Sequence, residues 1–326
     1  MNSKVKIAAG LSLIGVIAAA CSSTSSSATS TASSSATSYP SRRVSVIVAN
    51  PAGSATDLSA RAVTKCMGGN LKETFQVTDE PAGSGTSGML AIKNSSANGY
   101  TLGAIAISNI LEPVIDPSVG YLSSDYIPIG LLAAEPVLLL VDATSPYQSA
   151  SQFLSAAKSA SVSIGDVGAN TVAGLTSQAL ISAGKLGAKL VTYDANGQAV
   201  DALLGGHVSA IIAPYDGAVV GPQIKAGKVR VLATAAKASF LPSVPTFSSL
   251  FKGLPPGIGF WYLGAPKGTP SAVINILTKA MKSCMSTPAV QKVIGASVYP
   301  GYYGATGVES LVSSSLNTYA PLLSKK

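Results

Sequence analysis

Asn50-Pro51-Ala52-Gly53-Ser54-Ala55-Thr56-Asp57 follows the apolar run Val44–Val48, which is typical of a buried strand, and leads into a segment with helical spacing. A turn of small and hydroxyl residues at the start of a helix leaves backbone N–H groups unpaired and facing outward. The positive end of the helix dipole lies behind those groups. The stretch therefore predicts a strand–loop–helix unit whose loop is an anion cradle, suited to a carboxylate or a phosphate.

Two further loops have the same character. Gly83-Ser84-Gly85-Thr86 comes after the apolar run Phe75–Val77, and Gly168-Ala169-Asn170-Thr171 comes after Val162–Gly165. Because the first two cradles lie close together in sequence, we expect one ligand to be held between them.

Apolar runs and Ala-rich helical stretches alternate along the rest of the chain. Strands are predicted at Thr101–Ile107, Val137–Val141, Val162–Gly165, Lys189–Tyr193, Val208–Ala213 and Val229–Thr234. Helices are predicted at Ser149–Ser159, Thr176–Ala183, Ala199–Leu204 and Gly217–Ala226. This alternation predicts an α/β fold with largely parallel sheets, in which ligands bind outside the carboxyl ends of the strands.

The first 38 residues have the composition of an export signal and a tether. Lys4 and Lys6 precede the apolar run Ile7–Ala20, which is too short for a comfortable membrane span, so residues 1–20 are predicted to be a secretory signal. Ala18-Ala19-Ala20-Cys21 resembles a bacterial lipobox with Ala18 where Leu is commoner, which predicts lipidation at Cys21; ordinary cleavage after Ala-x-Ala is the alternative. Residues 22–38 are all Ser, Thr or Ala and are expected to form a flexible tether.

The remaining residues, 39–326, are long enough for one large domain or two moderate ones. The full sequence is 47% hydrophobic and 11% charged, which is enough apolar side chain to build a sizeable core. The net charge of +8 could indicate a nucleic-acid partner, but the basic residues are scattered and not clustered with aromatic residues. We therefore expect no nucleic-acid binding and a mild attraction for anionic solutes.

Cys66 and Cys284 both lie in predicted helices. Leu58, Ala62 and Cys66 share one helical face, and Cys284 lies in a helix opened by Thr269-Pro270, so both thiols are predicted to face a core. Outside the cell, an even pair of cysteines is consistent with a disulfide or with two buried free thiols, and spacing alone does not decide between them.

The sequence argues against catalysis. Gly83, Gly85 and Gly88 spell the dinucleotide pattern G-x-G-x-x-G, but Asp79-Glu80-Pro81-Ala82 separates them from the strand and Ser108 and Asn109 stand where an acidic residue is needed. His207 is the only histidine and lies in a turn, which disfavours a serine hydrolase and, with so few thiols, a zinc site. No enzyme activity, cofactor or metal is therefore expected.

Ordered motifs give the chain a resemblance to a known family. They are Pro51-Ala52-Gly53 with Thr56-Asp57, Glu80-Pro81-Ala82-Gly83-Ser84-Gly85-Thr86, Asn98-Gly99-Tyr100-Thr101-Leu102, Leu203-Leu204-Gly205-Gly206, Ile224-Lys225-Ala226-Gly227-Lys228, Leu241-Pro242-Ser243-Val244-Pro245-Thr246 and Pro266-Lys267-Gly268-Thr269-Pro270. In these the chain resembles the solute-binding proteins of tripartite tricarboxylate transporters, the Bug family, over essentially all of residues 39–326.

The resemblance implies an α/β two-domain clamshell, like a periplasmic binding protein or Venus flytrap, with the ligand cleft between the domains. Domain 1 would comprise residues 39–134 and 236–326, and domain 2 residues 135–235. A ligand carboxylate would be gripped by Pro51, Ala52, Gly53, Ser54, Ala55, Thr56 and Asp57 and by Gly168, Ala169, Asn170 and Thr171. Gly85, Thr86, Ser108, Tyr193 and Asp216 complete the predicted ligand-binding set.

The same resemblance implies how the protein works. It would deliver a small carboxylate to membrane permease subunits, acting as a monomer anchored by lipid to the outer face of the cytoplasmic membrane. Its first and C-terminal helices would share a domain, which favours a Cys66–Cys284 disulfide. Ser54 and Asp194 depart from the family pattern, and an Asp194 facing the cleft would disfavour multiply anionic ligands. A clamshell that signals or acts as a scaffold is the alternative to transport.

Overall fold

The structure is a computed structural model that describes residues 39–159, 161–169, 171–217, 219–236, 241–251, 254, 257–294 and 304–323. The predicted signal, the lipidation site Cys21 and the tether lie outside these residues, as does Asn170. No helix of the described ranges is long and apolar enough to cross a membrane.

Strands and helices alternate through the first two thirds of the chain, as the composition predicts. The strands are β1 Val44–Val48, β2 Phe75–Asp79, β3 Thr101–Ala106, β4 Tyr126–Asp142, β5 Ser163–Val167, β6 Lys189–Tyr193, β7 Ala210–Pro214, β8 Val229–Thr234 and β9 Ile258–Pro266. The helices are α1 Ala55–Leu71, α2 Thr86–Lys93, α3 Ile107–Ile115, α4 Ala150–Ala156, α5 Val172–Gly184, α6 Asn196–Leu204, α7 Val220–Lys225, α8 Phe247–Leu250, α9 Ser271–Met285, α10 Pro288–Ile294 and α11 Ala305–Leu323.

The strands form a mixed sheet in the order β2-β1-β3-β9-β4-β7-β5-β6, with β8 also paired to β4. The outer strands are parallel within each half: β1 with β2 and β3, and β5 with β6 and β7. The central strands are antiparallel, because β9 pairs with β3 and β4, and β4 pairs with β7 and β8. The expectation of largely parallel sheets is therefore correct for the outer strands and wrong for the centre.

β4 belongs to both halves of the sheet. Its first part pairs with β9 from Tyr126 to Pro136, and its second part pairs with β7 and β8 from Val137 to Asp142. The sequence predicts only Val137–Val141 as a strand here, because prolines interrupt the apolar run before it. Pro128 sits at a register shift and Pro136 sits where the pairing partner changes, which are positions where a missing N–H is tolerated.

The strand registers bring two sets of loops together. In the first half, Ala106 at the end of β3 pairs with Trp261, which pairs with Ala133 of β4. In the second half, Pro214 at the end of β7 pairs with Val137 of the same strand. β5, β6 and β7 run opposite to β4, whereas β1, β2 and β3 run with it. The carboxyl ends of both sets therefore converge on the three residues of β4 between Ala133 and Val137, which are Ala134, Glu135 and Pro136.

Helices α1, α9 and α10 pack on one face of the first half. Met67, Leu277 and Val290 are buried there together with Trp261, whose Nε1 donates to Ser59 Oγ over 2.6 Å. A Cys66–Cys284 disulfide joins α1 to α9, with 5.8 Å between the Cα atoms.

The face of α1 that packs into this core differs from the predicted one. Ala60, Val63 and Met67 are fully buried, whereas Leu58 is 49% exposed. The prediction that Leu58, Ala62 and Cys66 form the buried face is therefore wrong. These residues lie beside the buried stripe, and of the three only Cys66 is joined to the packed helices, through its disulfide with Cys284.

Candidate functional site

The loop after β1 is held in shape by its own side chains. Ser54 caps α1, since its Oγ accepts from the Asp57 N–H over 3.2 Å. Asp57 is 3% exposed, and its Oδ2 accepts from the Gly53 N–H over 2.8 Å. The helix cap is therefore Ser54, and the carboxylate of Asp57, a predicted ligand contact, is engaged within the loop.

Arg61 is held away from a ligand role by two carboxylates. Its Nε lies 2.5 Å from Asp57 Oδ1, and its terminal nitrogen lies 2.6 Å from Asp79 Oδ2. Burial and the neighbouring Asp57 charge raise the pKa of Asp79, while Arg61 opposes that rise. The ion pairs stabilise the first turn of α1, so the Arg61 guanidinium has a structural role in this loop.

The open end of α1 has unused donors. The N–H groups of Ala55 and Thr56 have no acceptor among the described residues, and neither does the Thr56 hydroxyl, although Thr56 is only 5% exposed. Pro51, Ala52 and Gly53 are exposed in front of them. Two free N–H groups and a hydroxyl at the positive end of a 17-residue helix are suited to binding an anion.

The loop after β2 is different. The N–H groups of Gly85, Thr86 and Ser87 donate to carbonyls of the same loop, those of Pro81, Gly83 and Ala82. The hypothesis of a second open cradle here is therefore wrong for these donors, because the tight turn uses them itself. An added Cβ at Gly85, where φ is +89°, would lie 2.3 Å from Ala49 O, so this loop packs directly on the end of β1.

Asn109 joins the three loops of this half, and the sequence analysis did not include it in the site. Its Oδ1 accepts from the Ala106 N–H over 3.1 Å, and its Nδ2 donates to Ser84 O over 3.3 Å and contacts Ala49 O over 3.5 Å. It is 2% exposed. Ser108 precedes it in the first turn of α3 and is exposed, so the predicted residue faces solvent and its buried neighbour supports the loops.

The second half contributes a similar cradle after β5. Thr171 caps α5, with its Oγ1 accepting from the Gly174 N–H over 3.3 Å and donating to Gly168 O over 2.8 Å. The N–H groups of Val172 and Ala173 have no acceptor within the described ranges. Ala169 is exposed.

Two more predicted residues lie beside this cradle. Tyr193 O, at the end of β6, accepts from the Gly168 N–H over 2.9 Å. Asp216, after β7, accepts at Oδ2 from Asn196 Nδ2 and at Oδ1 from the Val219 N–H, both over 2.5 Å. Asn196 was not among the predicted site residues, although it opens α6. Asp194 is exposed.

Glu135 lies where the two sets of loops converge, and the sequence analysis did not place it in the site. Burial, and then the nearby charge of Asp216, raise the pKa of Glu135 to about 8. The signal in the sequence was a single charged residue inside the long apolar run of β4.

The site combines many hydrogen-bond donors with few charged groups. Open helix N-termini face it from both halves, and Arg61, beside the first of them, is paired with Asp57 and Asp79. No group of His, Cys, Asp and Glu able to hold a metal occurs in the described part of the chain. Such an arrangement can hold an anion by hydrogen bonds and supplies no nucleophile–base pair among the residues described.

Two half-sheets sharing a strand, with a donor-lined cleft where their loops meet, define the solute-binding class of proteins. The chain belongs to the tripartite tricarboxylate transporter family receptors, whose TctC profile matches residues 59–325. Two relatives are each 28% identical to it: a UPF0065 protein of Bordetella bronchiseptica, over 78% of this chain and 76% of the relative, and Protein BugT of Bordetella pertussis, over 80% and 82%. The resemblance to the Bug family is confirmed.

Solved structures agree on the fold. A TctC solute-binding protein from Polaromonas, without ligand, has a TM-score of 0.80 at 25% identity and covers 88% of this chain and 100% of its own. MatC from Rhodopseudomonas palustris with bound malate has 0.65 at 23%, over 87% and 100%, and an R. palustris protein with adipate has 0.67 at 21%, over 88% and 97%. The predicted α/β clamshell is confirmed; its domain bounds at 134/135 and 235/236 stay a prediction.

Proposed function

We propose that this chain is an extracytoplasmic lipoprotein that binds a small carboxylate in its cleft without turning it over and delivers it to tripartite tricarboxylate-type permease subunits. The observation that carries the proposal is the pair of open cradles at the starts of α1 and α5, where the N–H groups of Ala55, Thr56, Val172 and Ala173 have no acceptor among the residues that the structure describes. Carboxylate oxygens accept such bonds well, and charge-assisted bonds are the stronger kind.

The ligand class is supported by relatives of the same fold. MatC was solved with malate and another R. palustris protein with adipate, both small dicarboxylates. The proposed contacts in this chain are the predicted loop residues 51–57 and 168–171, with Ser108, Tyr193 and Asp216 nearby. Gly85 packs against Ala49, directly before the first loop, and the Thr86 N–H donates within its own loop.

The test is titration calorimetry of the chain from Cys21 onward against mono-, di- and tricarboxylates, with chromatography of the ligand after incubation. We expect micromolar or tighter binding of at least one compound and its recovery unchanged. Conversion of the ligand, or silence across the panel, would contradict the proposal.

Anchoring is tested separately in cells. We expect the native protein in the membrane fraction and a Cys21→Ser variant in the soluble extracytoplasmic fraction, because the acyl chains attach at that thiol. Equal distribution of the two proteins would exclude lipidation at Cys21. Coupling to a permease is tested by uptake of the bound carboxylate; binding without uptake would favour a sensor or scaffold.

A further inference from the structure

Glu135 is the only ionisable residue between Pro128 and Val141 of β4. It pairs with Gly259 of β9, and directly opposed residues of an antiparallel pair point to the same face. An added Cβ at Gly259 would meet only Glu135 O within 4 Å, at 3.7 Å. The face that carries the Glu135 side chain therefore has open space beside it.

The start of α1 lies above this open space. Trp261 and Gly259 share a face of β9, as do Ala133 and Glu135 on β4, because side chains alternate along a strand. Ser59 contacts the Trp261 indole over 2.6 Å. The free N–H groups of α1 begin one helical turn earlier than Ser59, toward Gly259 and Glu135.

Asp216 approaches Glu135 from the second half. The Tyr215 N–H donates to Pro136 O over 2.9 Å, which brings the next residue, Asp216, alongside Glu135. The Asp216 carboxylate accepts two hydrogen bonds, from Asn196 Nδ2 and from the Val219 N–H. The Glu135 carboxyl group accepts no hydrogen bond from the described residues. Two neighbouring carboxyl groups favour holding one proton between them, and that proton resides on Glu135 because no hydrogen bond from those residues stabilises its charged form.

We propose that Glu135 is a ligand-contacting residue that determines specificity: it keeps its proton in the cleft and donates it in a hydrogen bond to a carboxylate or hydroxyl oxygen of the ligand. This inference rests on the proposed function. A neutral carboxyl group is a donor, like the helix N-termini around it, whereas an ionised one would repel the anion. The preferred second group of the ligand is therefore an oxygen acceptor, as in a dicarboxylate or hydroxycarboxylate.

Among the described residues, few other charged groups lie on the elements around Glu135, so the titration of its carboxyl group should be observable separately. From α1, Asp57 and Arg61 pair with each other. β9 contributes Gly259, which does not titrate, and β7 contributes Asp216 through the loop that follows it. Because burial and Asp216 raise the pKa of Glu135 to about 8, the residue is mostly protonated at neutral pH and loses its proton above that value.

The experiment measures the affinity for adipate and malate by calorimetry from pH 6 to pH 9.5. Bound ligand stabilises the protonated form, so we expect constant affinity below about pH 8 and a loss of about tenfold per pH unit above it. In two buffers of different ionisation heat, binding at pH 8 should take up about half a proton. Glu135→Gln keeps a donor and cannot ionise, so its affinity at pH 7 should be similar and independent of pH.

The control is Glu112→Gln, the same substitution at a partly buried glutamate of α3, which should keep the pH profile of the native protein. An unfolding titration without ligand checks the burial itself: the native protein should lose stability from about pH 4.5 to pH 8 relative to Glu135→Gln. If the native protein binds a carboxylate without losing affinity above about pH 8, this inference alone is overturned. The same holds if Glu135→Gln loses affinity at high pH as the native protein does. No carboxylate binding at any pH would overturn the proposed function and this inference together.

Discussion

At the scale of single residues, the side chains that shape the candidate site depend on partners that are distant in sequence. Small and hydroxyl residues after a strand are a local signal, so the loop at 51–57 could be found from spacing alone. The partners of Arg61 and Asn109 could not, because Asp79 and Ala49 reach them through strand pairing that local spacing does not encode. Glu135 was not predicted as a site residue because the charge that acts on it, that of Asp216, lies 81 positions further along the chain.

The Thr56 hydroxyl should contribute directly to binding. Thr56→Ala is expected to weaken carboxylate affinity by about 1 kcal/mol, or roughly fivefold, since a hydrogen bond to a charged group is lost. Thr56→Ser keeps the hydroxyl and should retain most of the affinity, as measured by calorimetry.

Thr64→Ala is the matched control on the same helix, because its hydroxyl donates to Ala60 O in the core. It should lower stability without changing affinity. If Arg61→Ala abolishes binding while Thr56→Ala does not, the anion is held by the guanidinium and the assignment is wrong.

Gly85 should be irreplaceable for steric reasons. Gly85→Ala would place a Cβ 2.3 Å from Ala49 O at a φ of +89°, so we expect a loss of several kcal/mol in the free energy of unfolding. Gly206→Ala is the control, because its φ is +70° but nothing lies within 4 Å, and it should cost only about 1–2 kcal/mol. Equal costs in denaturant unfolding would mean that the β2 loop can move off β1.

At the scale of elements, strands bounded by turn residues were predicted well and the two central strands were not. β1 and β6 match their predicted bounds, because polar residues flank short apolar runs there. β9 was missed, and β4 was predicted at a third of its length, because glycines and prolines inside them usually mark turns. Pairing with neighbours on both sides overrides those local preferences.

The disulfide between α1 and α9 should stabilise one half of the molecule. Its removal should lower the free energy of unfolding by up to about 5 kcal/mol in the chain-entropy model, because the closed loop is long. Both helices pack on the same core, so carboxylate affinity should change little. Melting and calorimetry of oxidised and reduced protein test this, with the Cys66→Ser, Cys284→Ser double variant as the control for the reductant.

The bond itself is tested by alkylating protein isolated from the oxidising side of the membrane without reduction. Mass spectrometry should find neither thiol modified. Two alkylated thiols would contradict the bridge.

At the scale of the whole molecule, β4 and the segment between β8 and β9 are the two places where the chain passes between the half-sheets. Near the second passage, the Gly257 N–H donates to the buried Tyr319 hydroxyl of α11 over 3.0 Å. The C-terminal helix thus fixes the entry to β9. The domain bounds that the family resemblance implies include such a double passage, whereas no local pattern indicates that a residue of the last helix supports it.

The Tyr319→Phe variant tests whether the Tyr319 hydroxyl stabilises the entry to β9. It leaves a buried N–H without its acceptor, so we expect a loss of about 1–3 kcal/mol in the free energy of unfolding. Tyr147→Phe is the control, because the Tyr147 ring packs edge-on against Phe153 and its hydroxyl has no partner in the described ranges. Equal stability of the two variants would show that Gly257 finds another acceptor.

The Cys66–Cys284 bond also closes most of the folded chain into a covalent ring. The bonded residues are 218 positions apart, and the ring contains all of β2 to β9. One proteolytic cut at an exposed loop of this ring, for example at Ala169, would leave both fragments joined. A nicked molecule should therefore migrate as one species on a denaturing gel until it is reduced, and outside the cell it could survive damage that would divide an unbridged chain.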